Sequence, residues 1–248
     1  MRDIARRFGA AAATYDAHSA AQRHAAQRLA EFLVTLNLPP RPRVLEIGCG
    51  TGHLTRLLVQ HLPGASILVS DIAMPMVAVC RQRLGSRPSL GFAVMDGSRP
   101  AVTAPFDLVC GNLVAQWFGD LPAALARLAA LLSPGGALLL SLPGSDTFRE
   151  WRAAHAAHGL SAGTRRLPTV AGCHAALPPG ENRLMTEHWG ERFADGLSFL
   201  RCLRGLGADA PADGHRSLTP GQLRRVLATL GPAPQLSYEF LFLIHRRR

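Results

Sequence analysis

The chain contains no lysine: all 27 of its basic side chains are arginine. Set against 17 acidic residues, they leave a formal net charge of +10 with His neutral. The use of Arg in place of Lys reads as a coding bias, but the sign of the charge calls for an anionic partner: nucleic acid, membrane surface or acidic protein. Apart from Arg246-Arg247-Arg248 there is no block of basic residues. A diffuse basic balance fits an acidic protein at least as well as a nucleic acid. No apolar run approaches the roughly 18 residues a membrane-spanning helix needs. Met1-Arg2-Asp3-Ile4-Ala5-Arg6-Arg7 has no apolar region behind it, so no secretory leader is expected. The five cysteines are scattered, without a C-x-x-C pair, which speaks against a disulfide framework or a zinc knuckle and for a reducing cytoplasm. With 48% hydrophobic residues, the chain is not generally disordered.

What is present is a regular alternation. Residues 1–18 are polar and mixed. Ser19 to Leu36 reads as an amphipathic helix, with Ser19 as N-cap and Leu29, Phe32, Leu33 and Leu36 on one face. Short apolar strands follow at 44–47, 67–70, 90–95, 106–110 and 137–142, separated mostly by helical segments. This implies a parallel sheet covered on both faces, an α/β architecture. Residues 145–182 hold a helix from Thr147 and then a loop rich in Gly, Pro and Arg. A sixth strand is expected at 184–189, a short helix at 197–206 and a last strand at 238–245. Thr219 and Pro220 announce a helix through Leu230. The segments 145–182 and 193–217 are expected to form a small lid over the C-terminal ends of the strands, the edge where open α/β sheets bind ligands.

Glu46-Ile47-Gly48-Cys49-Gly50-Thr51-Gly52 directly follows the first strand. The dinucleotide fingerprint needs its third Gly where this chain has His53, and there is no G-K-[ST], so a P-loop also fails. Acid-x-Gly-x-Gly-x-Gly resembles the first motif of class I S-adenosylmethionine-dependent methyltransferases. An acid beside the loop suits a ligand with a cationic amino acid end and no phosphate. Asp71 ends the second strand at the spacing where a carboxylate grips ribose hydroxyls. Asp96 ends the third, where the resemblance puts a contact to the adenine amino group. Glu46, Gly48, Gly50, Gly52, Asp71, Met76, Asp96 and Asn112 are therefore the expected cofactor-binding residues. Cys49 is a small filler.

Which methyltransferase is narrowed by two absences. No proline stands in Gly111-Asn112-Leu113-Val114-Ala115-Gln116-Trp117, where base-amino methylating enzymes usually carry one, and no Pro-Cys dipeptide occurs. Nucleic acid is therefore not an expected partner, nor is a membrane. Phe8-Gly9, Ala11 to His18 with Gln22-Arg23, Gln116-Trp117, Pro134-Gly135-Gly136, Arg201 to Ala208, Leu218-Thr219 and Leu236-Ser237-Tyr238 are similar to the malonyl-[acyl-carrier protein] O-methyltransferases of biotin synthesis. The resemblance covers nearly the whole chain and departs most at 160–182. It implies a Rossmann-like class I methyltransferase fold with a mostly parallel seven-stranded sheet. On that reading the chain is one domain, with an N-terminal helical segment (1–42), a cofactor core (43–144), a lid and sixth strand (145–217), and a C-terminal helix and strand (218–248).

The resemblance further implies S-adenosylmethionine as cofactor and methylation of the free carboxylate of a malonyl thioester. The substrate is carried by an acidic acyl carrier protein or by coenzyme A, and the ester masks its charge at the start of pimeloyl formation. Another small carboxylate or hydroxyl substrate is the alternative. A carboxylate is already ionised at pH 7, so the expected catalytic residues Tyr15, Gln116, Trp117 and Arg201 orient and exclude water rather than move a proton. Arg201 and Arg204, three apart on a short helix, are the expected substrate-binding pair.

Overall fold

The computed structural model describes residues 2–103, 105–212 and 214–248. One seven-stranded sheet has the order β3-β2-β1-β4-β5-β7-β6. Its strands are β1 (Arg43–Ile47), β2 (Ser66–Asp71), β3 (Leu90–Val94), β4 (Phe106–Asn112), β5 (Leu132–Pro143), β6 (Glu181–Arg192) and β7 (Gln235–Arg246). β1 to β5 run parallel, while β7 pairs antiparallel with both β5 and β6. The strand order reverses between β1 and β4, which opens a crevice at their C-terminal ends.

The centre of the sheet is buried on both faces because alternate residues of its inner strands feed different cores, while the edge strands β3 and β6 stay partly exposed. Val44 joins Leu29, Leu58 and Phe242 on the face covered by α3 (Ala20–Leu33) and α4 (His53–His61). Its neighbour Leu45 joins Leu125, Leu128 and Leu241 on the face covered by α6 (Leu121–Ala130). A third core lies at one end of the sheet and takes in Leu236 at the start of β7. Trp151, Phe199, Cys202 and Val226 bring together α7 (Arg149–Ala156), α9 (Gly196–Gly205) and α10 (Pro220–Leu230) as the lid. Polar bonds tether the lid to β7: Ser237 donates its amide to Glu150 at 2.9 Å, and Glu239 donates its amide to the Thr147 hydroxyl at 3.0 Å. α10 begins at a capping box of Thr219 and Gln222 with Pro220 in its first turn, as the sequence signals.

Four features depart from the sequence reading. The polar stretch 1–18 holds α1 (Arg2–Ala11) and α2 (Tyr15–His18); Ile4, Phe8 and Ala11 make a stripe too short for periodicity to reveal. Ser19 stands at the N-cap of α3 but makes no side-chain cap, because its hydroxyl bonds the Asp16 carbonyl and His53 instead. β5 starts at Leu132, so Ser133 to Gly136 forms an irregularity inside the strand where its register on β4 shifts. The segment read as a loop contains α8 (Val170–Ala176), capped by the Thr169 hydroxyl. The remaining helix, α5 (Met74–Leu84), lies where expected.

Candidate active site

β1 delivers the chain to Gly48 and Gly50, both left-handed at φ +65° and +53°. A Cβ on Gly48 would stand 2.5 Å from Val114 Cγ2, whereas one on Gly50 would meet only Tyr15, at 3.9 Å. The first glycine therefore lets the loop close on the segment after β4, and the second keeps a cradle open. Asp71 pins this loop, accepting the Gly50 amide at 2.9 Å and the Ala73 amide at 2.8 Å. Burial pushes its carboxyl above the usual value, against these amide bonds.

A small cavity of about 60 Å³ lies beside the loop, lined by Gly48, Gly50, Asp71, Met76 and Asn112 among others. A larger one of about 370 Å³ lies between the strand ends and the lid. Phe8, Tyr15, Leu113 and Trp117 line both, so they are the partition between the two spaces. Leu113 takes a left-handed backbone at φ +49°, strained for a side chain of its kind and held by its amide bond to Ser141 at 3.0 Å.

The sequence reading missed what positions Tyr15. Its neighbour Asp16 accepts the Thr51 hydroxyl at 2.6 Å and pairs with Arg83, while Arg83 also donates to the Thr51 carbonyl at 2.8 Å. Burial raises the Asp16 carboxyl, but Thr51 and Arg83 together outweigh it and hold it below its usual value. This cluster clamps α2 to the glycine loop and sets Tyr15 over Gly50. From the other side, the Thr14 hydroxyl reaches the Gly205 carbonyl at 3.1 Å and ties α2 to α9. No local signal marks Asp16 or Arg83, which lie 67 residues apart.

Of the other expected residues, Asn112 bridges elements, donating to the Gln22 carbonyl at 2.9 Å and accepting the Ser141 hydroxyl at 2.8 Å. Gln116 lines the larger cavity and donates to the Leu113 carbonyl at 2.6 Å; its buried Oε1 has no partner among the described residues. Glu46 lies in β1 beneath the loop, 1% exposed and lining neither cavity. Burial drives its carboxyl well above the usual range, and Oε2 is unpartnered among the described residues. Gly52 starts α4 against Cys80 and lines neither cavity. Asp96 forms a turn with the amide and hydroxyl of Ser98; its neighbour Gly97, rather than Asp96, lines the smaller cavity.

The expected arginine pair separates. Arg201 points outward, 67% exposed, bonded to Ser198 and 3.6 Å from Asp195; it lines neither cavity. Arg204 lines the larger cavity at its rim, 83% exposed and 3.9 Å from Asp209. The structure brings in Arg165, from the segment that least matched any pattern. Its guanidinium stands 5.3 Å from the centre of the Trp117 ring and lines the same cavity. Among the described residues, no group of three His, Cys, Asp or Glu is placed to hold a metal ion.

A sheet of this order with a glycine loop after β1, an acid ending β2 and a ligand space at the switch point defines a class I methyltransferase, with S-adenosylmethionine as methyl donor. The residues fit that molecule: Gly50 keeps a cradle open that any Cβ would narrow, and Asp71 offers acceptors in a space with no basic side chain among the described residues that line it. Residues 45–138 match the family described as Methyltransferase domain. Solved structures with the same fold include the YcgJ protein of Bacillus subtilis (TM-score 0.63, 15% identity, 89% of this chain and 97% of that one). A putative methyltransferase of Bacillus halodurans is similar at TM-score 0.62 and 15% identity, over 88% of this chain and 98% of that one.

Among curated relatives, the malonyl-[acyl-carrier protein] O-methyltransferase of Magnetococcus marinus is 43% identical, over 92% of this chain and 85% of its own length. The biotin biosynthesis bifunctional protein BioCD of Bordetella avium is 48% identical over 91% of this chain, which spans 48% of that protein's length. The chain belongs to the malonyl-[acyl-carrier protein] O-methyltransferase family.

Proposed function

We propose that the protein methylates the free carboxylate of a malonyl thioester, on acyl carrier protein or coenzyme A, as an early step of pimeloyl formation in biotin synthesis. The supporting observation is the partition itself. An aromatic-walled cavity edged by arginine shares four wall residues with the cofactor space, so an anionic guest in one adjoins a cationic donor in the other.

When bound, S-adenosylmethionine would supply a methyl group on a positive sulfur, which a carboxylate oxygen would take as the S–C bond breaks. The carboxylate is ionised near pH 7, so no proton moves and no general base is required. Gly48, Gly50, Asp71, Met76 and Asn112 would hold the cofactor. Tyr15 and Trp117, with Phe8 and Leu113, would set the line of approach and exclude water, and orientation of this kind is worth up to ~7–11 kcal/mol of barrier. Gln116 fixes Leu113 in its strained form. Arg204, exposed at the mouth, suits the phosphate of a pantetheine arm or an acidic carrier surface. Neither nucleic acid nor a membrane is required as partner. Five buried free cysteines suit a reducing cytoplasm.

The test is incubation with labelled S-adenosylmethionine and malonyl-, succinyl- or acetyl-carrier protein. Rapid base-labile labelling of the malonyl substrate and none of the acetyl one is expected. Equal labelling of malonyl and acetyl substrates removes the carboxylate as acceptor.

A further inference from the structure

We propose that Arg165, and not the arginines of α9, holds the substrate carboxylate against the partition; the assignment rests on the malonyl-carboxylate reading above. Three charged side chains line the larger cavity among the described residues: Arg165, Arg204 and Asp209. Asp209 is engaged by Arg7 at 3.1 Å and faces Arg204 at 3.9 Å. The Arg204 guanidinium thus already has a carboxylate beside it. Arg165 differs in what it leans on. Its guanidinium is placed against Trp117, one of the four residues that separate the two cavities. A cation held by an aromatic ring keeps its positive charge uncompensated, and the planar fork retains N–H donors for a carboxylate.

The segment that carries Arg165 is fixed on both sides. The Ala162 carbonyl accepts the Trp151 indole N–H at 3.3 Å, and the Gly163 carbonyl accepts the Ala212 amide at 2.8 Å. Beyond Arg165, the Pro168 carbonyl accepts the Ser145 amide at 2.9 Å. The backbone at 162–168 is thus attached to α7, to the segment after α9 and to the end of β5, and Thr164 and Leu167 join Arg165 in the cavity wall. An anion drawn to Arg165 lies beside Trp117, next to the cofactor space. An anion drawn to Arg201 lies outside the cavity altogether.

The experiment uses the full chain saturated with S-adenosylhomocysteine, with malonyl-pantetheine and acetyl-pantetheine as probes in calorimetry. The wild type is expected to prefer malonyl. Arg165→Ala is expected to bind malonyl-pantetheine ~10–100-fold more weakly, the range of a lost charge-assisted hydrogen bond, with acetyl binding and S-adenosylhomocysteine affinity unchanged. Arg165→Lys, which keeps the charge without the planar fork, should fall between. Arg165 is an exposed loop residue, so its truncation leaves the cores intact, and unchanged S-adenosylhomocysteine binding verifies this. A wild-type malonyl preference that persists in Arg165→Ala overturns the assignment while leaving the substrate reading standing. Equal loss of both ligands makes Arg165 structural and also overturns it. A wild type that binds acetyl as well as malonyl removes the substrate reading, and the assignment with it.

Discussion

Asp71 and Gly50 are joined by a single bond that pins the glycine loop: the carboxylate at the end of β2 accepts the amide of the loop after β1 at 2.9 Å. Its other oxygen takes the Ala73 amide at the head of α5. Each oxygen retains a further lone pair, so the group that shapes the loop can also receive ribose hydroxyls. Asp71→Ala should weaken S-adenosylmethionine binding by a few kcal/mol, about the worth of two charge-assisted bonds. Titration calorimetry showing unchanged affinity would refute the ribose assignment.

The two loop glycines should fail differently. Gly48→Ala places a methyl group 2.5 Å from Val114 at φ +65°, and clash plus left-handed strain should cost ~2–4 kcal/mol of stability. Val114→Ala in the same chain should restore part of that, since it relieves the clash and not the strain. Gly50→Ala has room, with Tyr15 at 3.9 Å, so it should lose ~1–2 kcal/mol of stability but a larger share of cofactor affinity. Urea unfolding and calorimetry on the three variants decide; a Gly48→Ala protein as stable as Gly50→Ala contradicts the packing described.

Arg204 at the cavity mouth should matter in proportion to the substrate's negative charge. Arg204→Ala should raise KM for malonyl-carrier protein several-fold at low salt, have little effect on malonyl-pantetheine without its phosphate, and converge with wild type near 0.5 M salt as screening sets in. Equal effects on both substrates would assign Arg204 to the acyl end.

The buried imidazoles should make acid weaken the fold, opposed by Glu46, Asp71 and Glu191, whose carboxyls burial raises. Burial lowers the pKa of His53, opposed by Asp16; it also lowers that of His155, opposed by the Trp151 carbonyl, and that of His245. Below about pH 6.5 the unfolded chain takes up protons on these rings that the folded chain refuses, so stability is complete above that pH and declines beneath it. Asp16, Glu150 and Glu187, whose carboxyls sit below their usual values, add a second loss at lower pH. Melting temperature should fall from pH 7.5 to 5.5, and less steeply in His155→Gln. A His155→Gln profile as steep as the wild type's contradicts the burial of that ring.

Much of the cofactor side was legible because its signals are local. A strand, a tight glycine turn and an acid at the next strand end are each encoded within a few residues, and the parallel crossover brings strand ends to one edge. The Thr219–Gln222 capping box was readable for the same reason. The substrate side was not. Spacing places Arg201 and Arg204 near one another on α9, but nothing in the spacing says which face of that helix meets the cavity. In the fold Phe199 and Cys202 enter the lid core, Leu200 and Leu203 line the cavity, and Arg201 is left outside. Asp16, Arg83 and Arg165 carried no local mark, because their partners are distant in sequence.

From the order of its residues alone, this chain determined a doubly covered sheet, a glycine turn after its first strand and an acid at the end of the second, since backbone turns and period-two burial depend on near neighbours. Which cation reaches the wall between the two cavities was decided by the packing of the lid. That packing gathers Phe148, Trp151 and Phe193 around Phe199 and fixes the 162–168 backbone by bonds to elements far along the chain.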